Sequence, residues 1–318
     1  MAVLVTGGAG YIGSHITRLL GEAAVVVVVD NLSSGLSDRI SGVPVEQLDL
    51  AAPNAQAELV RIIRQHGVDS VIHLAARKLV GESVERPEWY YSQNIGGMAN
   101  LLGAMRETGV KKLVFSSSAA TYGLPDTDLV TEDAVCKPIN PYGETKLVGE
   151  WMAKDAATAW GLKHVNLRYF NVAGAGSREL ADTAVANLIP IVFAALKSGG
   201  KVKVFGDQYP TPDGSCIRDY VHVQDLADAH VLALDYLERD DLEYDTFNVG
   251  TGIGASVFSV IDVIHKTVGF DFEVDVVAAR AGDPARLCAD VSRIKSTLGW
   301  TAKHDLKEIV RSAWAAIN

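Results

Sequence analysis

Apolar positions along this chain follow two rhythms. In the first half, short unbroken runs rich in β-branched residues fall at 3–6, 25–29, 70–74, 112–116 and 164–168. Between them lie longer amphipathic stretches near 12–21, 56–66, 95–108 and 142–160. Runs without polar alternation read as strands covered on both faces, and the longer stretches read as helices. The alternation predicts an α/β fold, a doubly wound parallel (Rossmann) sheet whose ligand lies at the carboxyl ends of the strands.

From about residue 174 the rhythm changes. Glycine and proline punctuate shorter elements: a strand near 201–205, a turn-rich stretch at 206–214, a helix near 223–237, a strand near 246–249 and a closing helix near 306–317. This predicts a sheet domain over 1–173 and a smaller C-terminal α/β lobe over 174–318. Elements near 217–250, namely 217–222 and 246–250, are expected to return to the first sheet.

Composition narrows the class. With 318 residues and 48% hydrophobic content there is ample core, and a net charge of −10 without a long basic run argues against a nucleic-acid surface. Cys136, Cys216 and Cys288 are an odd, widely spaced set with no CxxC. That suits a reducing compartment and neither a disulfide framework nor a zinc site. There is no HExxH, so no metal is expected. His222 and His230, with Asp225 and Asp228 between them, read as structural or surface residues, and His15 as helix packing. The longest apolar run, 23–29, is strand length, and Met1-Ala2 leads straight into the first strand. The expectation is a cytoplasmic enzyme with no signal peptide and no membrane partner.

The first strand runs into Thr6-Gly7-Gly8-Ala9-Gly10-Tyr11-Ile12-Gly13, three glycines spaced three apart before a helix. A strand ending in a glycine turn, followed by a helix start at Gly10, Tyr11, Ile12 and Gly13, directs backbone N–H groups at a pyrophosphate. Asp30 ends the second run, where a carboxylate can hydrogen-bond both ribose hydroxyls of an adenosine. It also repels a 2′-phosphate, so the expected cofactor is NAD and not NADP.

A second constellation carries acid–base chemistry. Ser116-Ser117-Ser118 ends a strand, and Tyr142 and Lys146 lie four apart at the start of a helix, hence on one face. A nearby ammonium lowers a phenol pKa, and a strand-end serine can share the substrate oxygen; Ser118 is the one chosen. Together they suit interconversion of an alcohol and a ketone beside a nicotinamide. A solvated Tyr–Lys pair and plain turn serines are the alternative reading, and Glu144 reads as solvated.

The GxxGxxG spacing with YxxxK resembles the short-chain dehydrogenase/reductases. Several segments are more specific: TGGAGYIGSH at 6–15, DNLSSG at 30–35, HLAARKLVGESVERP at 73–87, FSSSAATYG at 115–123, PYGETK at 141–146, RYFNVAGA at 168–175 and FGDQYPTPDGSCIRDYVHVQDLADAH at 205–230. Together they resemble the UDP-glucose 4-epimerases of the extended branch over essentially the whole chain. The resemblance implies that Asp30 and Asn31 contact the adenosine ribose and that Asp49 and Leu50 flank the adenine. It places Ala75, Ala76, Lys78 and Asn94 along the cofactor, with Lys78 near its phosphates. Ser118 and Tyr142 would be the acid–base pair, and Lys146 would grip the nicotinamide ribose. Asn171 and Asn187 would bond the sugar nucleotide, Arg218 and Arg280 its diphosphate, and Phe205 and Asp283 would bound the uridine.

The implied activity is NAD-dependent inversion at C4 of a UDP-hexose. A family-like homodimer would pair the helices near 95–108 and 142–160. Leu287 occupies the family's gate position near the sugar, so N-acetylated sugars are a further expectation. The segment 174–186 is shorter than usual for the family, and the loop between Asp30 and Gln47 is compact. Two other readings stay open. A nucleotide-sugar 4,6-dehydratase is opposed by the lack of a carboxylate after Ser118, and a non-catalytic NAD-binding regulator by the retained tyrosine–lysine pair.

Overall fold

The computed structural model describes residues 1–280 and 282–318. In chain order the first elements are β1 (Ala2–Thr6), α1 (Tyr11–Gly21), β2 (Val25–Asp30), β3 (Val45–Gln47), α2 (Ala55–His66) and β4 (Ser70–His73). Two short helices follow, α3 (Val80–Glu85) and α4 (Pro87–Tyr90), then a π-helical turn (Tyr91–Gly96) continuing into α5 (Gly97–Thr108). Next come β5 (Lys112–Ser118), α6 (Pro141–Trp160), β6 (Lys163–Tyr169) and β7 (Asn171–Ala173). The remainder holds α7 (Leu188–Lys197), β8 (Val202–Phe205), β9 (Ile217–His222), α8 (Val223–Tyr236), β10 (Tyr244–Val249), β11 (Gly254–Ser256), α9 (Val257–Val268), β12 (Val274–Val277), β13 (Arg286–Leu287), α10 (Ser292–Leu298) and α11 (Leu306–Ile317).

The chain forms two compact units. The first comprises Met1–Thr121, Pro138–Arg168 and Ala227–Phe247; the second comprises Tyr122–Lys137, Tyr169–Leu226 and Asn248–Asn318. The seven-stranded sheet has the order β10-β6-β5-β4-β1-β2-β3. Strand β1 pairs in parallel with both β2 and β4, so the order reverses direction between β1 and β4. Loops at the carboxyl ends of those two strands therefore diverge around a crevice, the usual ligand position in such sheets. The valine-rich β2 is buried at every position after Val25, as expected for a strand with helices on both faces. Val27 and Val29 of β2 join Leu4, Val71 and Leu113 of β1, β4 and β5 and Leu59, Leu101 and Ala153 of the helices in one core cluster.

The second unit is built from smaller sheets. Strand β9 pairs with β7, β11 and β13, and β8 pairs with β12. Its core joins Ile189, Val192, Val204, Tyr220, Ile261 and Ile309. Two expectations differ from this. Residues 217–222 do not return to the seven-stranded sheet; only 244–249 does. Residues 122–137, expected in the sheet domain, fall in the second unit, where Val130 donates its N–H to Cys288 and accepts one from Asp290.

Candidate active site

At the end of β1 the chain turns through Gly7 in the left-handed region, φ 73°. A Cβ there would lie 2.8 Å from the backbone nitrogen of Ala75, and one at Gly13 would lie 2.2 Å from the carbonyl oxygen of Gly7. Only glycine permits both the turn and the close approach of the β4 loop. Helix α1 starts behind Gly10 with no side-chain cap, which leaves its first turn open to an anion. Asp30 is buried; one carboxylate oxygen accepts the Ala9 N–H at 3.1 Å and the other the Leu32 N–H at 2.8 Å. Its charge is thus fixed beside the glycine turn. This cradle and the carboxylate fit the diphosphate and a ribose of NAD.

The other expected cofactor residues of the first unit are held by different means. Asn31 accepts the Ser33 N–H, and exposed Asp49 accepts the Ala51 N–H, each closing a local turn. Leu50 is buried in the core, and its carbonyl accepts from Asn100. Ala75 and Ala76 are half-buried after β4, and Lys78 is exposed. Asn94, in the π-helical turn, is a bracket. Its Oδ1 accepts the Arg77 N–H at 2.8 Å, while Nδ2 donates to the Arg77 carbonyl at 3.0 Å and to the Thr145 hydroxyl at 2.9 Å. Both amide donors are therefore spent on tying the β4 loop to α6. π-helical turns recur where a side chain must be re-aimed at a functional site.

Helix α6 begins at Pro141, capped by Asn140, whose Oδ1 accepts the Gly143 N–H at 2.9 Å. A Cβ at Gly143 would stand 2.6 Å from the Ala120 carbonyl oxygen, and one at Gly149 would stand 2.5 Å from the Phe115 ring. These two glycines let the helix lie directly against the end of β5. Tyr142, Lys146 and Ser118 are consequently all buried and close together. Ser118 accepts the Ala120 N–H at 3.1 Å and hydrogen-bonds the Tyr142 hydroxyl. Lys146 donates to the Ser116 carbonyl at 2.7 Å, and its Nζ lies 6.0 Å from the centre of the Tyr142 ring.

The electrostatics correct one expectation. Burial pushes the Tyr142 phenol up, and the Ser118 hydrogen bond only partly offsets this. The neighbouring ammonium does not win, because burial also pulls Lys146 down, to about 8, against the opposing charge of Glu150. Ser116 and Ser117 are not turn residues. Both lie buried in β5, Ser116 bonded to His230 at 2.8 Å and Ser117 to Glu150. Glu144 is not free in solvent; it accepts from the Tyr91 hydroxyl.

In the second unit, Arg218 on β9 donates to the carbonyls of Ile217 and Pro284, both at 2.8 Å, and lies 3.5 Å from the Asp283 carboxylate. The Arg280 guanidinium sits 3.8 Å above the Phe205 ring, a cation–π pair. Leu287 is the register partner of Arg218. Asn171 pairs in register with Tyr220 and hydrogen-bonds it, and Asn187 reaches the adjacent Val172 carbonyl at 3.5 Å. Of the seven positions expected in this unit, Asn171, Asn187, Arg218, Asp283 and Leu287 thus attach to β7, β9 or the segment 283–287, while Arg280 and Phe205 pair with each other.

Several supporting residues escaped the sequence reading. Buried Asp219 accepts N–H groups from Thr251, Gly252 and Ala289 and ties three segments beside Arg218. Its signal was a carboxylate inside the apolar strand RDYVHV. Glu150 and Arg168 form a buried two-pronged ion pair, 2.9 and 2.6 Å. The former lies one turn beyond Lys146, which was the available clue. His222 and His230, expected from the sequence to be structural or surface residues, are fully buried, and His222 bonds Ser312 at 2.9 Å. Among the described residues, no group of three or more His, Cys, Asp or Glu is placed to hold a metal, and no helix is long and apolar enough to cross a membrane.

A crevice at the switch point of a doubly wound sheet, with a buried Ser–Tyr–Lys set at the next strand end, defines a nicotinamide-dependent enzyme class. The NAD dependent epimerase/dehydratase family model matches residues 3–250, and the chain belongs to that family. A UDP-glucose 4-epimerase of Halalkalibacterium halodurans is 45% identical over 320 residues, covering 99% of this chain and 95% of that protein. The crystal structure of UDP-glucose 4-epimerase from Brucella ovis in complex with NAD matches with a TM-score of 0.94 at 42% identity, covering 99% and 98% of the two chains. The UDP-Glc/GlcNAc 4-epimerase from Campylobacter jejuni matches with a TM-score of 0.86 at 40% identity, covering 99% and 98%.

Proposed function

We infer that this chain is a UDP-glucose 4-epimerase, an NAD-dependent isomerase that inverts C4 of a UDP-hexose through a transient 4-keto sugar. The observation that carries the reading is the buried Ser118–Tyr142–Lys146 set at the end of β5 in a chain matched over nearly its full length by such epimerases. Bound NAD supplies the hydride acceptor and donor, and its oxidised ring adds positive charge that favours the Tyr142 phenolate. Tyr142 takes the 4-hydroxyl proton and later returns it. Ser118, already bonded to that phenol, shares the substrate oxygen and steadies the developing charge. Lys146, anchored on the Ser116 carbonyl, holds the nicotinamide ribose. The open first turn of α1 and Gly7, Gly10, Tyr11, Ile12 and Gly13 hold the diphosphate of the cofactor, with Asp30 and Asn31 on its ribose. Asn94 acts by fixing the loop of Ala75, Ala76 and Lys78.

In the second unit Arg218 and Arg280 bind the UDP diphosphate, Phe205 and Asp283 the uridine, and Asn171 and Asn187 the sugar nucleotide. Planar, forked donors suit that diphosphate. Leu287 is read as the gate that admits N-acetylated sugars. A homodimer through α5 and α6 is supported by Trp151, 56% exposed on α6, and a cytoplasmic site by the widely spaced free cysteines. The deciding experiment is conversion of UDP-galactose to UDP-glucose by purified protein without added reductant. Interconversion without net redox is expected. No conversion, or a stoichiometric demand for NADH, overturns the reading.

A further inference from the structure

We infer that the Tyr209 hydroxyl is a nucleotide ligand, donating a hydrogen bond to a non-bridging oxygen of the diphosphate held by Arg218 and Arg280. The inference rests on the functional reading above and adds a residue to it.

Four observations, all within the second unit, lead there. First, the Tyr209 oxygen is buried and has no hydrogen-bond partner among the described residues, although the ring is only half-buried. A buried hydroxyl without a partner is a cost that a folded protein keeps where a ligand completes it. Second, the backbone that aims it is held from within. The Tyr209 N–H donates to the Gly214 carbonyl at 2.8 Å, and Thr211 donates back to the Tyr209 carbonyl at 2.7 Å. The Asp213 carboxylate then closes this turn by accepting from Ser215 and Ser256.

Third, the ring lies against Gly206, where a Cβ would come within 2.8 Å of the ring edge. Gly206 also has φ 85°, so the turn after β8 needs a glycine on two counts. Fourth, the phenol sits in the field of Arg218, Arg280 and Asp283. The carboxylate raises its pKa and the two guanidinium groups lower it, burial being the largest cause of a net rise. Arg218 is paired with Asp283 at 3.5 Å, so the Arg280 guanidinium stacked on Phe205 is the cation that an anion beside the phenol would meet. A neutral phenol donates to such an anion, and a hydrogen bond to a charged acceptor is among the stronger ones. Next to Tyr209, Pro210 lines a cavity of about 620 Å³ together with Asp128, Asp283, Pro284 and Arg286.

The test is Tyr209→Phe, which keeps the ring against Gly206 and removes one oxygen. Purified protein with its bound NAD is titrated calorimetrically with UDP and, separately, with uridine. The expected result is UDP binding weakened about 10- to 100-fold, as for loss of a hydrogen bond to a charged group, with uridine affinity within about twofold. The ligand-free melting temperature stays level or rises, because no internal hydrogen bond is lost. Unchanged UDP affinity in the variant, while the wild type binds UDP, overturns the inference and leaves the epimerase reading intact. Equal losses for uridine and UDP overturn the assignment to the diphosphate. A clear fall in the ligand-free melting temperature shows that the hydroxyl has a structural partner, and it overturns the inference as well. A wild type that binds no UDP removes the functional reading and this inference together.

Discussion

Tyr142→Phe removes one oxygen from a residue whose ring is otherwise packed, so binding and chemistry separate cleanly. Its loss is expected to lower turnover about 10²- to 10⁴-fold, the range for a single acid–base group, while acid-extractable NAD stays at wild-type levels. Retention of more than about a tenth of the activity would exclude that role. Leu287 makes the second test at this scale. It stands in register with Arg218 on a two-residue strand and is half-buried. Wild type should turn over UDP-galactose and, measurably, UDP-N-acetylgalactosamine. Leu287→Tyr should lower the kcat/KM for the N-acetylated sugar about tenfold or more relative to the plain one, since a small steric change is worth roughly 1–3 kcal/mol of discrimination. An unchanged ratio would mean that Leu287 only packs the lobe. The glycine turn, Asp30 and the Tyr142/Lys146 spacing were readable from the chain because each is a local pattern. The Tyr142 pKa direction and the bracket formed by Asn94 were not, because burial and tertiary hydrogen bonds decide them.

The element that organises the chemistry is α6, and its inner stripe continues one turn past Lys146 to Glu150. Glu150 and Arg168 keep only 6% and 8% of their side-chain surface exposed. Breaking such a pair from one side leaves a buried charge without compensation and costs about 3–5 kcal/mol, whereas replacing both partners by apolar residues can be nearly neutral. Glu150→Leu should therefore lower the urea-unfolding free energy by that amount, and Glu150→Leu/Arg168→Leu should recover most of it. A single variant that loses less than about 1 kcal/mol would show the pair to be better hydrated than its burial implies. Legibility at this scale follows the same physics. Unbroken valine-rich runs announce β1 and β2. By contrast, β12 finds its partner β8 some seventy residues away and β13 is two residues long, so neither announces itself in the chain, although β8 does. Helix α7 is apolar on nearly every side and contains Pro190, which hides it from a search for amphipathic stretches.

Acid stability is a property of the whole molecule here, because several buried histidines are held neutral. Burial pulls His15 to about 4, His73 to about 3 and His164 to about 4. In the unfolded chain each titrates near the ordinary value of about 6.5. Their folded-state values are depressed, so the stability they contribute is fully present above that value and is lost as pH falls toward 4 and 3. In this window the unfolded chain binds more protons, and the slope approaches about 1.4 kcal/mol per pH unit for each histidine. Asp219 and Glu132, whose carboxyls burial pushes up, act in the opposite direction. A variant isolates the histidine contribution. His164 stacks on Tyr244 with ring centres 5.3 Å apart, and neither ring nitrogen has a hydrogen-bond partner among the described residues. His164→Phe keeps a stacked ring and removes one proton from the unfolded-state balance. Its stabilisation relative to wild type, measured by urea unfolding, should be larger at pH 5 than at pH 8 by on the order of 2 kcal/mol. Equal differences at the two pH values would mean that His164 binds its proton as readily in the folded protein as in the unfolded chain, so that burial does not set its charge.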